Sequence, residues 1–204
     1  MQQITIHKIY PVGFAANSYL VTADGKNAVC IDPAQPRILD EAKKRGLIVT
    51  HVLLTHGHFD HIGGVASLQK AGAKVGCLAG EEELALLDNL AEDFGEEKIE
   101  PFKIDFTFKD GEELELAGMK IKVIATAGHT AGGACYLIEN NLFTGDTLFE
   151  GSVGRSDLPT GSGTELVKSV KKLYALDGDY TVYAGHGEDT TLDNERKYNG
   201  AIRA

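Results

Sequence analysis

The run Thr55-His56-Gly57-His58-Phe59-Asp60-His61 places four metal-binding groups within six residues. Neutral imidazole and carboxylate suit zinc, iron and manganese, and no cysteine lies close by to make a thiolate site. His56 and His58 are two apart and can converge on one ion from an extended turn. Asp60 and His61 lie one turn further on and face a second ion more easily than the first. The plain alternative is a polar loop that happens to be histidine-rich, because short motifs also match by chance. Before the motif, Val52-Leu53-Leu54 reads as a buried strand; after it, Ile62-Gly63-Gly64-Val65-Ala66 reads as the start of a helix. A strand feeding a tight loop, feeding a helix, holds several ligands at one point.

Further candidates follow the same rule. His129 comes a few residues after a strand from Lys122 to Ala125, Asp146 follows Leu142-Phe143-Thr144-Gly145, and His186 follows Val182-Tyr183-Ala184-Gly185. A glycine directly precedes each one, where the chain must turn sharply. Active sites of layered α/β proteins collect where strands end. Five of the seven histidines fall at such ends; His7 and His51 read as strand or surface residues instead. Asp32 ends another strand. It either orients a ligand histidine through the ring N–H or forms a turn before Pro33. Arg155 either grips a substrate carboxylate with its planar fork or pairs with Asp157 inside its own loop. Tyr19, Tyr136 and Tyr183 read as core or strand residues.

The elements that must position these groups come in two similar runs. Ile4, Ile6, Ile9 and Val12 open a strand-rich start, followed by strands Tyr19-Leu20-Val21 and Ala28-Val29-Cys30-Ile31. Pro36 starts a helix with Ile38, Leu39 and Ala42 on one face, closed near Gly46. Strand Val52 to Thr55, a helix from Ile62 to about Lys70, strand Val75 to Leu78 and a helix from Glu81 to Ala91 follow. Between Glu92 and Asp105 the pattern is lost, as in a loop or lid. Then come strand Phe106 to Phe108, a hairpin of Leu114 to Leu116 with Met119 to Ile124, and a second hairpin of Cys135 to Ile138 with Leu142 to Thr144. Thr147 to Gly163 reads as a surface loop. Leu166, Val167, Val170, Leu173 and Tyr174 mark an amphipathic helix, before a last strand Tyr180 to Ala184 and a last helix Leu192 to Asn199. The order suggests two sheets packed face to face with helices outside.

Composition sets the outer bounds. The 204 residues fit one domain, 1–204, with length enough for a real core. A net charge of -10 disfavours nucleic acid as a partner, since phosphate affinity comes mainly from Lys and Arg. Cys30, Cys77 and Cys135 are odd in number and widely spaced, which reads as small buried thiols of a reducing compartment. No charged-then-apolar signal segment opens the chain and no apolar stretch approaches the ~20 residues of a membrane span. A cytoplasmic protein with no membrane partner is expected.

His56-x-His58-x-Asp60-His61 with a later Gly-His129-Thr, Gly-Asp146 and Gly-His186-Gly resembles the metallo-β-lactamase superfamily over nearly the whole chain. The resemblance implies an α+β fold, a four-layer αββα sandwich with metals at one edge between the sheets. It implies two divalent metal ions, zinc first, with iron or manganese able to replace it. One would sit on His56, His58 and His129, the other on Asp60, His61 and His186, with Asp146 bridging. Within the superfamily the chain is most similar to the glyoxalase II-like hydrolases, which cleave hydroxyacylglutathione thioesters. Thr55 to Gly64, Tyr183-Ala184-Gly185-His186-Gly187 and Gly154-Arg155-Ser156-Asp157 with Gly161-Ser162 carry that likeness to the shorter bacterial members. The archetypal enzyme adds a C-terminal helical region whose basic residues grip glutathione, whereas 18 residues follow His186 here. It also has a Lys- and Tyr-bearing loop where this chain has Gly151-Ser152-Val153-Gly154-Arg155.

The expected reaction is thioester hydrolysis by a metal-bridging hydroxide. Two cations about 3.5 Å apart bring the pKa of a shared water toward ~7. Asp146 holds the pair together and Asp60 orients the hydroxide. A thiol of pKa near ~8.5 leaves without a dedicated general acid. The substrate is thus a small thioester or ester. The alternatives on the same site are a mononuclear iron persulfide dioxygenase, which the first motif and Gly-Arg-x-Asp also resemble, a lactonase or other ester hydrolase, and a non-catalytic metal-binding scaffold. Persulfide dioxygenases usually end in an Ala-His-Asp type after the last strand, unlike Gly185-His186-Gly187. A scaffold would be marked by lost ligands, and none is lost.

Overall fold

The computed structural model describes residues 3–86 and 98–204. Two six-stranded sheets form the body. The first has the order β1-β2-β3-β4-β5-β6: β1 (Thr5–Ile9), β2 (Ser18–Thr22), β3 (Asn27–Ile31), β4 (Ile48–Leu53), β5 (Lys74–Leu78) and β6 (Phe106–Phe108). Strands β1 to β3 are antiparallel neighbours; β3 to β6 run parallel. The second has the order β14-β13-β10-β9-β8-β7. Its strands are β7 (Glu113–Leu116), β8 (Met119–Ala125), β9 (Ala134–Ile138), β10 (Asn141–Gly145), β13 (Thr181–Ala184) and β14 (Thr190–Thr191).

Period-two alternation sends each strand's side chains to two different cores. Tyr19, Val21, Val29, Ile31 and Leu53 of the first sheet meet Ile121, Val123, Tyr136 and Phe143 of the second. On the outer face of the first sheet, Leu20, Cys30, Val52 and Val75 pack with Ile38 and Ala42 of α1 (Ile38–Lys44), Ile62 of α2 (Phe59–Ile62) and Leu68 of α3 (Val65–Lys70). On the outer face of the second, Ile124, Cys135 and Val182 pack with Leu166, Val170 and Leu173 of α5 (Gly163–Tyr174) and Leu192 of α6 (Leu192–Tyr198). This is the expected αββα sandwich. All three cysteines are free and buried. Among the described residues no helix is long and apolar enough to cross a membrane.

Four local readings are corrected. The helix expected from Ile62 is two short helices: the Gly64 N–H donates to Pro33 O at 2.6 Å and Asp60 O accepts from the Ala16 N–H at 2.9 Å, in place of the helical bond between them, and a Cβ on Gly63 or Gly64 would lie 2.5 Å from Ala34 O or 2.4 Å from Gln35 O. The glycines let the loop after β3 press against the chain there. The segment Thr147 to Gly163 is not all surface loop: β11 (Leu148–Phe149) pairs with β12 (Ser152–Val153), and Leu148 is buried. Strand β4 starts at Ile48, so His51 lies inside it, as His7 lies inside β1. The two-residue β14 was not expected. Of the helix expected from Glu81 to Ala91, α4 (Glu82–Leu86) is described; its remainder, and 92–97 of the expected loop or lid, lie outside the described residues.

The loop expected up to Asp105 ends in a clamp. Asp105 Oδ2 accepts from the Val75 N–H at 3.0 Å and from Gln69 Nε2 at 2.9 Å, and Lys103 Nζ lies 3.3 Å from Oδ1. Burial acts to raise the Asp105 pKa, but those partners outweigh it and hold it below the usual value. A lowered folded-state pKa gives stability that is present above the unfolded value of ~3.9 and lost as pH falls through the folded one. Asp105→Asn is expected to cost about 1 kcal/mol at pH 7. Urea melts at decreasing pH should show its deficit shrinking below pH ~4, the carboxylate range; a deficit constant with pH would refute the ionised clamp.

Candidate metal centre

The site lies where both sheets end, and inter-sheet hydrogen bonds fix that end. Ala134 N–H donates to Thr55 O at 2.8 Å and Asn17 N–H to Gly185 O at 2.7 Å. Tyr136 Oη donates to Leu54 O, and Tyr19 Oη donates to Ala184 O at 2.6 Å. The buried Tyr19 and Tyr136 are therefore core residues, as expected, whose hydroxyls brace the strands leading to the site. Tyr183 stacks on Phe143 at 5.1 Å between ring centroids.

All seven candidate ligands converge. One nitrogen each of His56, His58 and His129 lies within 4.8 Å of the others, and the same holds for one atom each of Asp60, His61 and His186. His129 Nε2 is 2.8 Å from His58 Nδ1 and 3.2 Å from His56 Nε2. His186 Nε2 is 3.1 Å from Asp60 Oδ2. Asp146 lies between the two groups: Oδ1 is 3.2 Å from His61 Nε2, while Oδ2 is 3.6 Å from His129 Nε2 and 3.7 Å from His186 Nε2.

Neighbouring groups set which nitrogen faces inward. Asp32 accepts from the Thr55 N–H at 2.8 Å and the Thr55 hydroxyl at 2.6 Å, and receives the His61 Nδ1–H at 2.8 Å. That leaves His61 Nε2 for the centre. Asp32 thus orients a histidine rather than closing a turn with its side chain, and its φ of 48° is one an Asp tolerates. His129 Nδ1–H donates to Arg155 O at 2.7 Å. The Arg155 guanidinium forks onto Asp157 at 2.7 and 2.8 Å, the second of the two readings for that residue. Gly154 permits this approach, since a Cβ there would lie 1.8 Å from Asp146 O. The Gly-Arg-Ser-Asp segment thus serves the centre through a backbone carbonyl.

One participant escaped the sequence reading. Glu81 is buried and accepts from the Gly57 N–H and the Gly132 N–H, each at 2.9 Å. Burial pushes its carboxyl up to about 7, against the pull of those N–H groups. Nothing in Glu81-Glu82-Glu83 separates it from its neighbours; the sequence shows only acids opening a helix.

The electrostatics differ between the groups. Burial, then the surrounding histidines, pushes His56 well below its ordinary pKa and His58 down to about 4. Both offer unprotonated nitrogen at neutral pH. For His61 burial acts downward, but Asp146, Asp60 and Asp32 outweigh it and raise the pKa. Burial acts to raise Asp146, yet His61, His186 and His129 hold its carboxyl well below the usual range. A divalent cation fits this donor set on a direct test. Among the described residues four buried polar atoms lack a hydrogen-bond partner, and two of them are His61 Nε2 and Asp146 Oδ1, which face each other at 3.2 Å without a hydrogen bond. Buried polar atoms are rarely left so without a ligand or ion to satisfy them.

A cavity of about 580 Å³ opens onto the centre, lined by His58, Asp60, His129, Asp146 and His186 and walled by Phe14, Phe59, Phe149, Leu158 and Arg155. The centre can therefore hold two cations against a cleft sized for a small organic substrate.

Known proteins resemble this chain in sequence and fold. The chain is 36% identical over 203 residues to the hydroxyacylglutathione hydrolase GloC of Haemophilus influenzae, covering 94% of this chain and 95% of that one. Its fold matches the BLEG-1 B3 metallo-beta-lactamase at a TM-score of 0.89 and 30% identity, covering 96% of this chain and 98% of that one. It matches TTHA1623 in a di-iron-bound form at a TM-score of 0.85 and 34% identity, covering 95% and 98%. The family model for the metallo-beta-lactamase superfamily spans residues 11–186, from the rim of the cleft to the last histidine of the centre. With sandwich, centre and family model in agreement, the chain belongs to the metallo-beta-lactamase superfamily.

Proposed function

We propose that this protein is a thioester hydrolase of the hydroxyacylglutathione type. The carrying observation is the convergence of six His and Asp side chains around Asp146 at the floor of the cleft. His56, His58 and His129 would hold one cation and Asp60, His61 and His186 the other, with Asp146 between. Zinc suits the donors, and the di-iron form of TTHA1623 supports iron equally. Two bound cations supply a water ionised near neutral pH and a Lewis acid for the acyl oxygen.

The chain's own residues do the rest. Asp60 Oδ2 accepts a hydrogen bond from the attacking water and orients it. Its carboxyl stays ionised because His61 and His186 outweigh the effect of burial. Phe14, Phe59, Phe149 and Leu158 exclude water from one side of the bound thioester. No Lys, Tyr or Cys is among the described lining residues. A thiolate, with a parent pKa near ~8.5, needs none of them as a proton donor, whereas an amine would. The likeness to GloC supports the same substrate class.

The test is steady-state hydrolysis of S-lactoylglutathione by metal-replete protein, followed by loss of thioester absorbance. Turnover is expected. Arg155→Ala should raise KM about fivefold with kcat little changed, since Arg155 is exposed at the rim and already shared with Asp157. No turnover by protein carrying two metals per chain would overturn the glutathione-type assignment.

A further inference from the structure

Two loops bring His56, His58 and His129 together, and they come from different sheets. The first follows β4 of one sheet; the second joins β8 to β9 of the other. Between them lies Glu81, 1% exposed, at the start of α4. Its Oε1 accepts from Gly57, the residue between His56 and His58, at 2.9 Å. Its Oε2 accepts from Gly132, just beyond His129-Thr130, at 2.9 Å. Both glycines are pressed into place. A Cβ on Gly57 would lie 2.4 Å from Ala85 N, and one on Gly132 would lie 2.5 Å from Glu81 Oε2.

We propose that Glu81 is a positioning residue that locks the two loops together and so holds His56, His58 and His129 convergent before a metal ion arrives. The proposal rests on reading those three histidines as a metal site. His129 Nε2 lies 2.8 Å from His58 Nδ1 and 3.2 Å from His56 Nε2, a closeness that contacts among the rings alone do not fix. Something else must hold them there, and a carboxylate with one oxygen on each loop does so directly. Both of its partners are N–H donors, so only a group with two acceptors serves. An amide of the same shape would set its NH2 against one of them. This is the logic by which groups behind a metal's ligands tune its affinity.

The test uses the full chain, stripped of metal and titrated with cobalt(II), read by calorimetry and by the visible absorption of the bound ion. Glu81→Gln should weaken cobalt binding at the site of His56, His58 and His129 about 10–100-fold and alter the cobalt spectrum. Glu195→Gln is the control. Glu195 is equally buried and accepts from the Gly151 N–H at 2.8 Å, so it should lower the melting temperature without altering the spectrum or the affinity. If Glu81→Gln does not fold, Gly132→Ala disturbs the same contact from the other side and should weaken cobalt binding likewise. A folded Glu81→Gln, or failing that Gly132→Ala, with wild-type affinity and spectrum would overturn the proposal. Wild-type protein that takes up no cobalt would instead overturn the reading of the site.

Discussion

Asp146→Ala is expected to reduce the metal content from two ions per chain to one or none and to lower kcat/KM on the order of 10³-fold, about 4 kcal/mol of transition-state stabilisation. Asp146 is the carboxylate with one oxygen toward His61 and the other toward His129 and His186. Its neighbouring histidines keep it ionised although it is largely buried, so the substitution removes a permanent negative charge from between two cations. The wild-type clusters would otherwise crowd cations together with histidine as the main donor. Asp146→Asn keeps the shape and half the acceptor capacity, so it should fall between the two. The measurement is elemental analysis of the purified variants beside their rates. Two metals and a near-normal rate in Asp146→Ala would sink the bridging assignment. The wild-type stoichiometry is informative by itself: one iron per chain would point to oxygen chemistry, two metals to hydrolysis.

Legibility in the sequence followed the range of the contacts involved. The αββα layers were readable because period-two strands and period-3.6 helices are local patterns. The seven converging residues were readable because histidine and aspartate gathered at strand ends are uncommon, and four such ends, after β4, β8, β10 and β13, could hardly share another purpose. Asp32 was readable only as one of two alternatives. An Asp before a proline closes turns as readily as it orients a histidine, and its partners Thr55 and His61 lie 23 and 29 residues away. Glu81 was invisible for the same reason: Gly57 and Gly132 are 24 and 51 residues off, in opposite directions. The break at Gly63-Gly64 was hidden because hydrogen bonds to Pro33 O and from the Ala16 N–H, both distant in sequence, replace the helical one. Strands β11, β12 and β14 are two residues each, too short to show a period.

Gly185 shows how a correct position can carry an incomplete reason, and it yields the second large effect. All three glycines before Asp146, His129 and His186 read as sharp turns. Gly128 and Gly145 do have positive φ, at 142° and 48°. Gly185 does not, and its constraint is space. A Cβ there would lie 2.3 Å from Asp146 Oδ1 and 2.7 Å from His61 Cε1. Neither neighbour can yield cheaply, since the His61 ring is fully buried and pinned through Nδ1 by Asp32. Nor can the backbone retreat, because Gly185 N–H donates to Gly145 O at 2.9 Å and Gly185 O accepts from Asn17 at 2.7 Å. Gly185→Ala is therefore expected to drive Asp146 and His61 apart. Overpacking of this kind costs about 1–3 kcal/mol. Spent on the geometry of the centre, it should lower kcat/KM on the order of 100-fold. The ion held by Asp60, His61 and His186 should be lost first. Gly187→Ala, two residues on, has the opposite character: φ is +79° and nothing lies within 4 Å of its Cβ. It should cost about 1–2 kcal/mol of backbone strain and stability while leaving the metal content intact. Metal analysis and urea melts of the pair separate crowding at the centre from strain in the chain. Wild-type metal binding in Gly185→Ala would show that Asp146 and His61 do not need the close approach that this glycine permits.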